Sequence, residues 1–197
     1  MGMEDRKKSP KREEIIEIAG RLFYENGYGA TGIQQIIREA NIAKGTFYSH
    51  FKSKEELGVA WLQRRHIEWN SWLEEALTKA PSPTKKVAAI FDFLESWLID
   101  SEFRGCAFLN TAAETPDASN PMRDQVASHK RSLHELFQSL TIAAFQPPKS
   151  KNSEIAENVG STLFLLFEGA LVESQNFRQT WPVQIAKKQA HKLLNPN

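Results

Sequence analysis

The sequence predicts an all-α protein of about nine helices, and two observations lead to this fold class. Apolar residues recur every three or four positions through most of the chain, as they do along the buried face of an amphipathic helix. No segment shows the sustained alternation of apolar and polar residues that is typical of a half-buried β-strand. There is also no internal repeat, and the chain length of 197 residues suits one or two small domains.

Length and composition set broad limits. The chain has 197 residues, of which 41% are hydrophobic and 25% are charged, values typical of a soluble globular protein. No uninterrupted apolar run is longer than the five residues of 163–167, which is far shorter than the roughly 18 residues of a membrane span, and the N-terminus carries no secretory signal. A single cysteine excludes an internal disulfide and a multi-cysteine zinc site. We therefore predict a cytoplasmic protein with no membrane contact, no cofactor and no metal.

The charge is unevenly distributed, although the formal net charge is only +1. Residues 1–54 hold ten Lys or Arg against seven Asp or Glu, a net charge of +3, whereas residues 55–197 hold fifteen against seventeen, a net charge of −2. This mild charge asymmetry is compatible with a nucleic-acid contact at the N-terminal end but does not by itself predict one.

The first helix is predicted from Pro10 to Asn26. Residues 1–8 are polar and are expected to be disordered. Ser9 before Pro10 is a typical N-cap followed by proline at the first helical position, and Gly27 provides a left-handed C-terminal residue. The apolar stripe of this helix is Ile15, Ile18, Ala19, Leu22 and Phe23.

Two short helices follow. Thr31 and Gln34 fit a capping box, which would start the second helix at Thr31. A break at 41–42 separates it from a third helix, predicted over about Ala43 to Tyr48. Ser53 and Glu56 form another capping box, which opens a long helix running to roughly residue 79.

The rest of the chain is predicted as five further helices, separated by proline, glycine and asparagine. We expect them to begin after the Pro81-Ser82-Pro83 segment, at Cys106 after an interruption at 104–105, at Asn120-Pro121, at Ser153 after a loop over 146–152, and at Pro182.

The third predicted helix has the chemistry that a DNA-reading helix needs. Phe47 and Phe51 are four residues apart, so both can anchor the helix to the scaffold while the residues between them face outward. Gly45 would let the backbone approach DNA closely. A short polar helix is also common on any protein surface, and Tyr48 or His50 could serve packing alone.

Two segments of the chain resemble a known family. Residues 18–36 (IAGRLFYENGYGATGIQQI) and residues 43–57 (AKGTFYSHFKSKEEL) look like the DNA-binding domain of TetR-family transcriptional regulators, in a match that spans about residues 11–60. The resemblance implies a homodimeric regulator of transcription that binds double-stranded DNA, usually a repressor released by a small ligand. It also implies a helix-turn-helix domain over residues 1–54 and a larger helical domain for ligand binding and dimerisation over residues 55–197.

The resemblance assigns roles to particular positions. It implies that Thr31 binds phosphate at the start of the second helix, that the third helix lies at the groove, and that His50 and Lys54 contact the DNA backbone nearby. The full set of predicted DNA-binding residues is Thr31, Gln34, Gln35, Lys44, Gly45, Thr46, Tyr48, His50 and Lys54.

A ligand site in the C-terminal domain would need aromatic walls and a few polar groups. Residues 104–114 and 120–121 are similar to a "GC…N…E" stretch of one TetR-like subgroup, which identifies no ligand. Aromatic residues at helical spacing are also typical of a core, and Glu114 or Glu168 could simply face solvent or pair with an arginine. The candidate ligand-binding residues are Phe91, Trp97, Cys106, Phe108, Asn110, Glu114, His129, Phe137, Phe167 and Glu168.

Two alternative functions remain open. Cys106 follows Arg104 and stands near a predicted helix N-terminus, which would suit a redox-sensing regulator, although a lone cysteine is also a common small core residue. A small helical enzyme is the rival of a different class. No H-E-x-x-H, G-x-S-x-G or phosphate-loop motif is present to support it, so we predict that the protein is not an enzyme.

The last two helices carry the dimerisation signal. The run 163–167 is apolar around much of its helix, which requires burial on several sides and therefore favours a partner subunit over a monomer with a thick core. A twofold dimer would place its two reading helices about 34–36 Å apart. The predicted interface residues are Val159, Leu163, Leu166, Ala170, Val183, Ala186, Ala190 and Leu193.

Overall fold

The structure, a computed structural model, describes residues 9–145 and 151–195 and gives no account of side chains before residue 154 in the second range. Nine helices and no strands are present in these ranges, which confirms the all-α prediction. In chain order they are α1 Pro10–Asn26, α2 Ile33–Glu39, α3 Lys44–His50, α4 Lys54–Thr78, α5 Pro83–Asp100, α6 Ala107–Glu114, α7 Pro121–Phe145, α8 Lys151–Phe177 and α9 Trp181–Leu194.

Most predicted helix ends are confirmed because local chemistry sets them. The Ser9 hydroxyl accepts a hydrogen bond from the Arg12 N–H, and Gly27 takes a φ of 97° after the last turn of α1. Ser82 caps α5 in the same way. The predictions for residues 1–8 and for the loop at 146–150 lie outside the described residues. α8 begins at Lys151, two residues before the predicted start at Ser153.

The predicted capping box of α2 is wrong. α2 begins at Ile33 with Gly32 at its N-cap and no side-chain cap. Thr31 is fully buried, and its hydroxyl donates to the carbonyl oxygens of Leu22 at 3.2 Å and Gly27 at 2.8 Å. Thr31 therefore satisfies backbone acceptors at the end of α1 instead of opening α2. In α1 the buried stripe includes Ile16, whereas the predicted Ile18 is only half-buried.

The described chain divides into two compact units. Unit 1 contains the chain up to residue 67 together with residues 107–127, so it holds α1, α2, α3, the start of α4, α6 and the start of α7. Its core is built around Phe23, whose ring lies 5.0 Å from that of Tyr28 and 5.4 Å from that of Trp61. Gly20 allows this packing, because an added Cβ there would lie 2.5 Å from Trp61 Cδ1.

Unit 2 contains residues 68–106 and the chain from residue 128 onward. Its core is a cluster of three fully or almost fully buried rings, Phe91 on α5, Phe137 on α7 and Phe167 on α8, with centroids 5.8–6.1 Å apart. α9 packs on both α8 and α5. Rings at this spacing are in van der Waals contact and bury a large apolar area.

α8 is long and apolar. The most apolar 18-residue stretch within Glu154–Phe177 has a mean hydropathy of 1.4, which would be sufficient by length and composition to cross a membrane, although the longest uninterrupted apolar run of the helix is only five residues. A third of that 18-residue stretch is buried inside the chain itself. The core helix of a soluble protein has the same length and composition, so this helix is weak evidence for a membrane span.

Candidate nucleic-acid interface

α2 and α3 are joined by a tight turn that fixes their relative direction. Asn41 adopts a left-handed φ of 47°, a conformation that asparagine tolerates better than most residues. Its N–H donates to the Arg38 carbonyl at 3.1 Å, and the N–H of Ile42 donates to the Ile37 carbonyl at 3.2 Å. The four-residue connection therefore has the geometry of a helix-turn-helix unit.

α3 is anchored by the two predicted phenylalanines. Phe47 and Phe51 are both fully buried, with ring centroids 6.1 Å apart, and the Arg12 guanidinium lies 4.8 Å from the centroid of the Phe51 ring. Phe51 is itself the C-cap of α3, in an extended conformation. Because the anchors hold one face inward, the residues between them are presented on the opposite face.

The outer face of α3 is open to solvent. Lys44, Gly45, Tyr48 and Ser49 are exposed, whereas Thr46 and His50 are half-buried. Tyr48 is 44% exposed although its ring meets the edge of the Phe47 ring at 5.2 Å. Packing therefore orients the Tyr48 ring without enclosing it, which leaves the side chain accessible to a partner.

Packing among the described residues does not require a glycine at position 45. A Cβ added to Gly45 would meet no described atom within 4 Å apart from its chain neighbours and the backbone of its own helix. Glycine inside a helix costs roughly 0.5–1 kcal/mol relative to alanine. A close approach of a partner surface to the α3 backbone would explain why a glycine stands at this position despite its cost to helix stability.

Four predicted residues lie elsewhere than on this face. Thr31 is buried and bonded to carbonyls, as described above. The half-buried Lys54 ammonium lies 4.2 Å from the centroid of the Tyr28 ring and donates to the Gly29 carbonyl at 3.4 Å. Desolvation lowers the pKa of Lys54, and the nearby carboxylates of Glu55 and Glu114 oppose that change. On α2, Gln34 is exposed and Gln35 is half-buried.

Two exposed cations near α3 were not among the predicted contacts. Arg38 lies in the last turn of α2, and Lys52 follows the C-cap of α3. The backbone N–H of Lys52 donates to the Glu56 carboxylate at 2.8 Å, while the Ser53 hydroxyl accepts from the Glu56 N–H at 3.2 Å. The only sequence signal for Arg38 and Lys52 is their basic charge next to the two short helices.

The predicted ligand-binding residues are divided between the two units. Phe91, Phe137 and Phe167 fill the core of unit 2, where they pack on one another. His129 is also buried there, with its ring 5.1 Å from that of Trp69, and Trp97 is half-buried.

Three ligand candidates lie in unit 1. Phe108 is buried and Asn110 is half-buried. Glu114 is exposed and accepts a hydrogen bond from the Gly29 N–H at 2.5 Å, so it is not the buried, unpaired carboxylate that would have marked a ligand site.

Glu168 and Cys106 both lie close to Lys130 in unit 2. The Lys130 ammonium lies 2.7 Å from Glu168 Oε2, and each side chain is 16% exposed. The same ammonium lies 3.7 Å from the sulfur of Cys106, which is buried. The ion pair joins α7 to α8 and gives the Glu168 carboxylate a partner.

Unit 2 also contains a pocket of about 270 Å³ between α4 and α7, and none of its residues was predicted as a ligand contact. The only sequence signal for this pocket was the helical spacing of leucines on α4 and α7. It is lined by Trp69, Asn70, Leu73, Glu74, Leu77, Ser132, Leu133 and Leu136.

The predicted dimer residues are mostly turned inward. Leu163 and Ala170 of α8 are buried within the chain, and so are Val183, Ala186 and Ala190 of α9. Since these five side chains are buried within the single chain, they are not available to a partner. Val159, Leu166 and Leu193 are half-buried. The apolar side chains that remain exposed on these two helices are Ile155, Leu165, Val172, Phe177, Trp181 and Ile185.

An anchored, outward-facing α3 behind a tight turn defines the class of protein: it is a helix-turn-helix DNA-binding protein. Comparison with known families agrees. The model of the tetR family of bacterial regulatory proteins matches residues 15–60, and the tetracyclin repressor-like C-terminal domain matches residues 83–190, more than half of the chain. The chain belongs to the TetR family of DNA-binding transcriptional regulators, which confirms the resemblance found in residues 11–60.

Individual relatives are distant but extend over much of the chain. The transcriptional repressor DhaR of Mycobacterium sp. strain GP1 is 23% identical over 89% of this chain and 88% of its own length. The repressor NemR of Escherichia coli K12 is 27% identical over 64% of each chain, which is less than two thirds of its length.

Solved structures of the family share the fold. A TetR-family transcriptional regulator from Streptomyces coelicolor superposes with a TM-score of 0.80 over 96% of both chains, at 25% identity. The reduced form of E. coli NemR superposes with a TM-score of 0.77 over 94% of this chain and 98% of its own, at 21% identity.

Proposed function

We propose that this protein is a cytoplasmic repressor that binds a palindromic DNA operator as a homodimer and is released by a small molecule. The observation that carries the proposal is the exposed face of α3, anchored from behind by Phe47 and Phe51. The DNA-contacting residues are Lys44, Gly45, Thr46, Tyr48 and His50, with Gln34 and Gln35 of α2 beside them. We assign the protein no catalytic step, cofactor or metal.

The roles on α3 follow from side-chain chemistry. The Lys44 ammonium suits a phosphate oxygen and contributes affinity without sequence preference, whereas Thr46 and Tyr48 can donate or accept hydrogen bonds at base edges or phosphates. Gly45 leaves space for the backbone of a DNA strand. Lys54 takes a supporting role instead of the predicted phosphate contact, because its ammonium is already engaged by Tyr28 and Gly29.

Dimerisation is proposed through the exposed apolar faces of α8 and α9. Leu165 is 67% exposed, and Trp181 and Ile185 are about half exposed. The Phe177 ring contacts that of Trp181 in a tilted arrangement, with the ring centroids 5.4 Å apart. Large apolar side chains exposed on two helices that pack together favour a protein partner, and an isologous contact would pair this surface with itself.

The effector is proposed to bind in unit 2 and to favour a conformation with a different spacing of the two α3 helices. A ligand that binds two conformations unequally shifts their populations, and DNA must weaken ligand binding by the same factor. The pocket between α4 and α7 and the buried rings of unit 2 are the surfaces on which such a ligand could act.

The test is DNA binding by wild type and by Tyr48→Ala. Duplex DNA is first selected by the wild-type protein from a random library, and its dissociation constant is then measured by fluorescence anisotropy. We expect Tyr48→Ala to weaken binding about five- to hundredfold, as loss of a base contact worth about 1–3 kcal/mol would do. Tyr24→Ala, a tyrosine of α1 outside the proposed interface, is the control. Selection of no duplex by the wild type would contradict the proposal.

A second candidate, a redox-sensing regulator, is favoured by one contact. The Lys130 ammonium lies 3.7 Å from Cys106 Sγ, so the only cysteine of the chain has a cation beside its sulfur. Hydrogen peroxide would oxidise the thiol to a sulfenic acid and be reduced to water. If peroxide abolishes DNA binding of the wild type and spares Cys106→Ser, this candidate is supported. Equal responses of the two proteins would contradict it.

A further inference from the structure

The turn between α1 and α2 is held by a residue far away in the sequence. Glu114, the last residue of α6, accepts a hydrogen bond from the backbone N–H of Gly29, with 2.5 Å between the nitrogen and Oε2. The two residues are 85 positions apart and both belong to unit 1. A carboxylate that accepts a backbone N–H forms a charge-assisted hydrogen bond, which is stronger than one between neutral groups.

The turn is shaped to admit this carboxylate. An added Cβ would lie 3.1 Å from Glu114 Oε2 if placed on Gly27, and 3.2 Å from the same oxygen if placed on Gly29. At Gly29 the carboxylate oxygen is the only atom within 4 Å of the added Cβ among the described residues. Gly27 and Gly29, separated by one residue, therefore leave open the space that the Glu114 carboxylate occupies.

α4 binds the other backbone polar group of the same residue, Gly29. The Lys54 ammonium donates to the Gly29 carbonyl at 3.4 Å and rests on the Tyr28 ring. Both backbone polar groups of Gly29 are thus bonded, the N–H by α6 and the carbonyl by α4. The charges of Glu114 and Lys54 are close enough to interact, since the carboxylate opposes the fall in the pKa of Lys54.

The segment that carries Glu114 is flanked on both sides by chain that belongs to unit 2. Within the described ranges, 107–127 is the only segment beyond Ile67 that belongs to unit 1. It is joined covalently to unit 2 at both ends, through Cys106 and Ser128. A displacement of α6 would therefore be transmitted to Gly29, four residues before the first residue of α2.

We propose that Glu114 is a positioning residue that holds the turn before α2 and thereby sets the presentation of α2 and α3 to DNA. The inference rests on the proposed function, because it names the contact through which movement of α6 would reach the DNA-reading helices. It also gives Glu114 a role other than the ligand contact predicted from the sequence.

The experiment compares variants of the full-length protein. Glu114→Ala removes the acceptor, Glu114→Gln keeps an acceptor oxygen without the charge, and Gly29→Ala adds a Cβ that crowds the carboxylate alone. Glu135→Ala, an exposed glutamate of α7, is the control with the same loss of charge as Glu114→Ala. The measurements are amide hydrogen exchange at Gly29, the dissociation constant for the selected DNA, and the midpoint of thermal unfolding.

We expect Glu114→Ala to raise the exchange rate of the Gly29 amide and the DNA dissociation constant, each on the order of tenfold. In Glu114→Gln the exchange rate and the dissociation constant should both stay near their wild-type values, because the glutamine carbonyl oxygen still accepts the Gly29 N–H. Gly29→Ala should change both in the same direction as Glu114→Ala, and Glu135→Ala should change neither. If Glu114 only stabilised the fold, Glu114→Ala would lower the unfolding midpoint, but the variants would not rank in this order in Gly29 exchange and DNA affinity.

Different failures point to different conclusions. Wild-type exchange at Gly29 in Glu114→Ala would overturn the contact itself, whatever the DNA result. Faster exchange with unchanged DNA affinity would overturn the positioning role and leave the proposed function intact. If the wild-type protein selects no duplex, the proposed function fails and the positioning role fails with it.

Discussion

The Lys130 ammonium of α7 lies 2.7 Å from Oε2 of Glu168 on α8, and only 16% of each side chain is exposed. A second ion pair, Lys187 with Asp92, joins α9 to α5 at side chains that are 39% and 55% exposed. The two pairs differ chiefly in how far their charges are removed from water. Since water screens the exposed pair, the two should contribute very differently when one partner is removed.

Lys130→Met is therefore expected to lower the free energy of unfolding by about 2–3 kcal/mol, because the Glu168 carboxylate is left largely desolvated without a cation. Lys187→Met should cost less than about 1 kcal/mol. Urea unfolding at one fixed protein concentration measures both. The double variant Lys130→Met with Glu168→Gln should recover much of the loss, and no recovery would contradict the electrostatic explanation.

Two glycines in helices should respond oppositely to alanine. Gly45→Ala meets open space and should raise the free energy of unfolding by about 0.5–1 kcal/mol through helix propensity. Gly20→Ala places its Cβ 2.5 Å from Trp61 Cδ1 and should lower it by about 1–3 kcal/mol despite the same propensity gain. Urea unfolding of the two variants gives the comparison.

Gly45→Ala also separates stability from DNA binding. Its methyl group would stand between α3 and the DNA, so the more stable variant should bind the selected duplex more weakly than wild type. Equal or tighter binding would show that α3 does not approach DNA at Gly45.

Features governed by neighbouring residues could be predicted from the sequence. Ser9 caps α1 and Ser82 caps α5 because a serine hydroxyl reaches an N–H only three residues away. Phe47 and Phe51 could be assigned inward because a four-residue spacing puts both on one side of α3 and its C-cap. The exposed face of α3 follows from those anchors.

Features governed by distant partners could not be predicted. Thr31 fits a capping box locally, but its hydroxyl donates to the carbonyl of Leu22, which comes close only after α1 and the turn have folded. Glu114 finds its partner 85 residues earlier in the chain. In α9 the regular apolar stripe around Ala186 packs inside the chain, whereas the exposed Ile185 lies on a face with no regular pattern.

Lys44→Ala should change the salt dependence of DNA binding. One phosphate contact contributes about 0.9 to the slope of the logarithm of the binding constant against the logarithm of salt concentration. The variant should bind more weakly on all duplexes alike and show a slope smaller by about that amount. Titrations at several salt concentrations measure this slope, with Lys85→Ala, an exposed lysine of α5, as the charge-matched control. An unchanged slope would mean that Lys44 touches no phosphate.

The surface of α8 and α9 gives the last prediction. Leu165→Glu puts a charge in the middle of the proposed dimer interface, where it would be desolvated without a partner, so the dimer should dissociate at least about a hundredfold more readily. Ile99→Glu, at an apolar side chain of α5 that is 54% exposed, is the control and should leave the dimer intact. Sedimentation equilibrium measures the dimer dissociation constant of each variant. Because Leu165 is exposed in the single chain, the variant should keep the helical circular dichroism of the wild type. A folded Leu165→Glu that remains dimeric would exclude this surface, and dimerisation would then require another face of the protein.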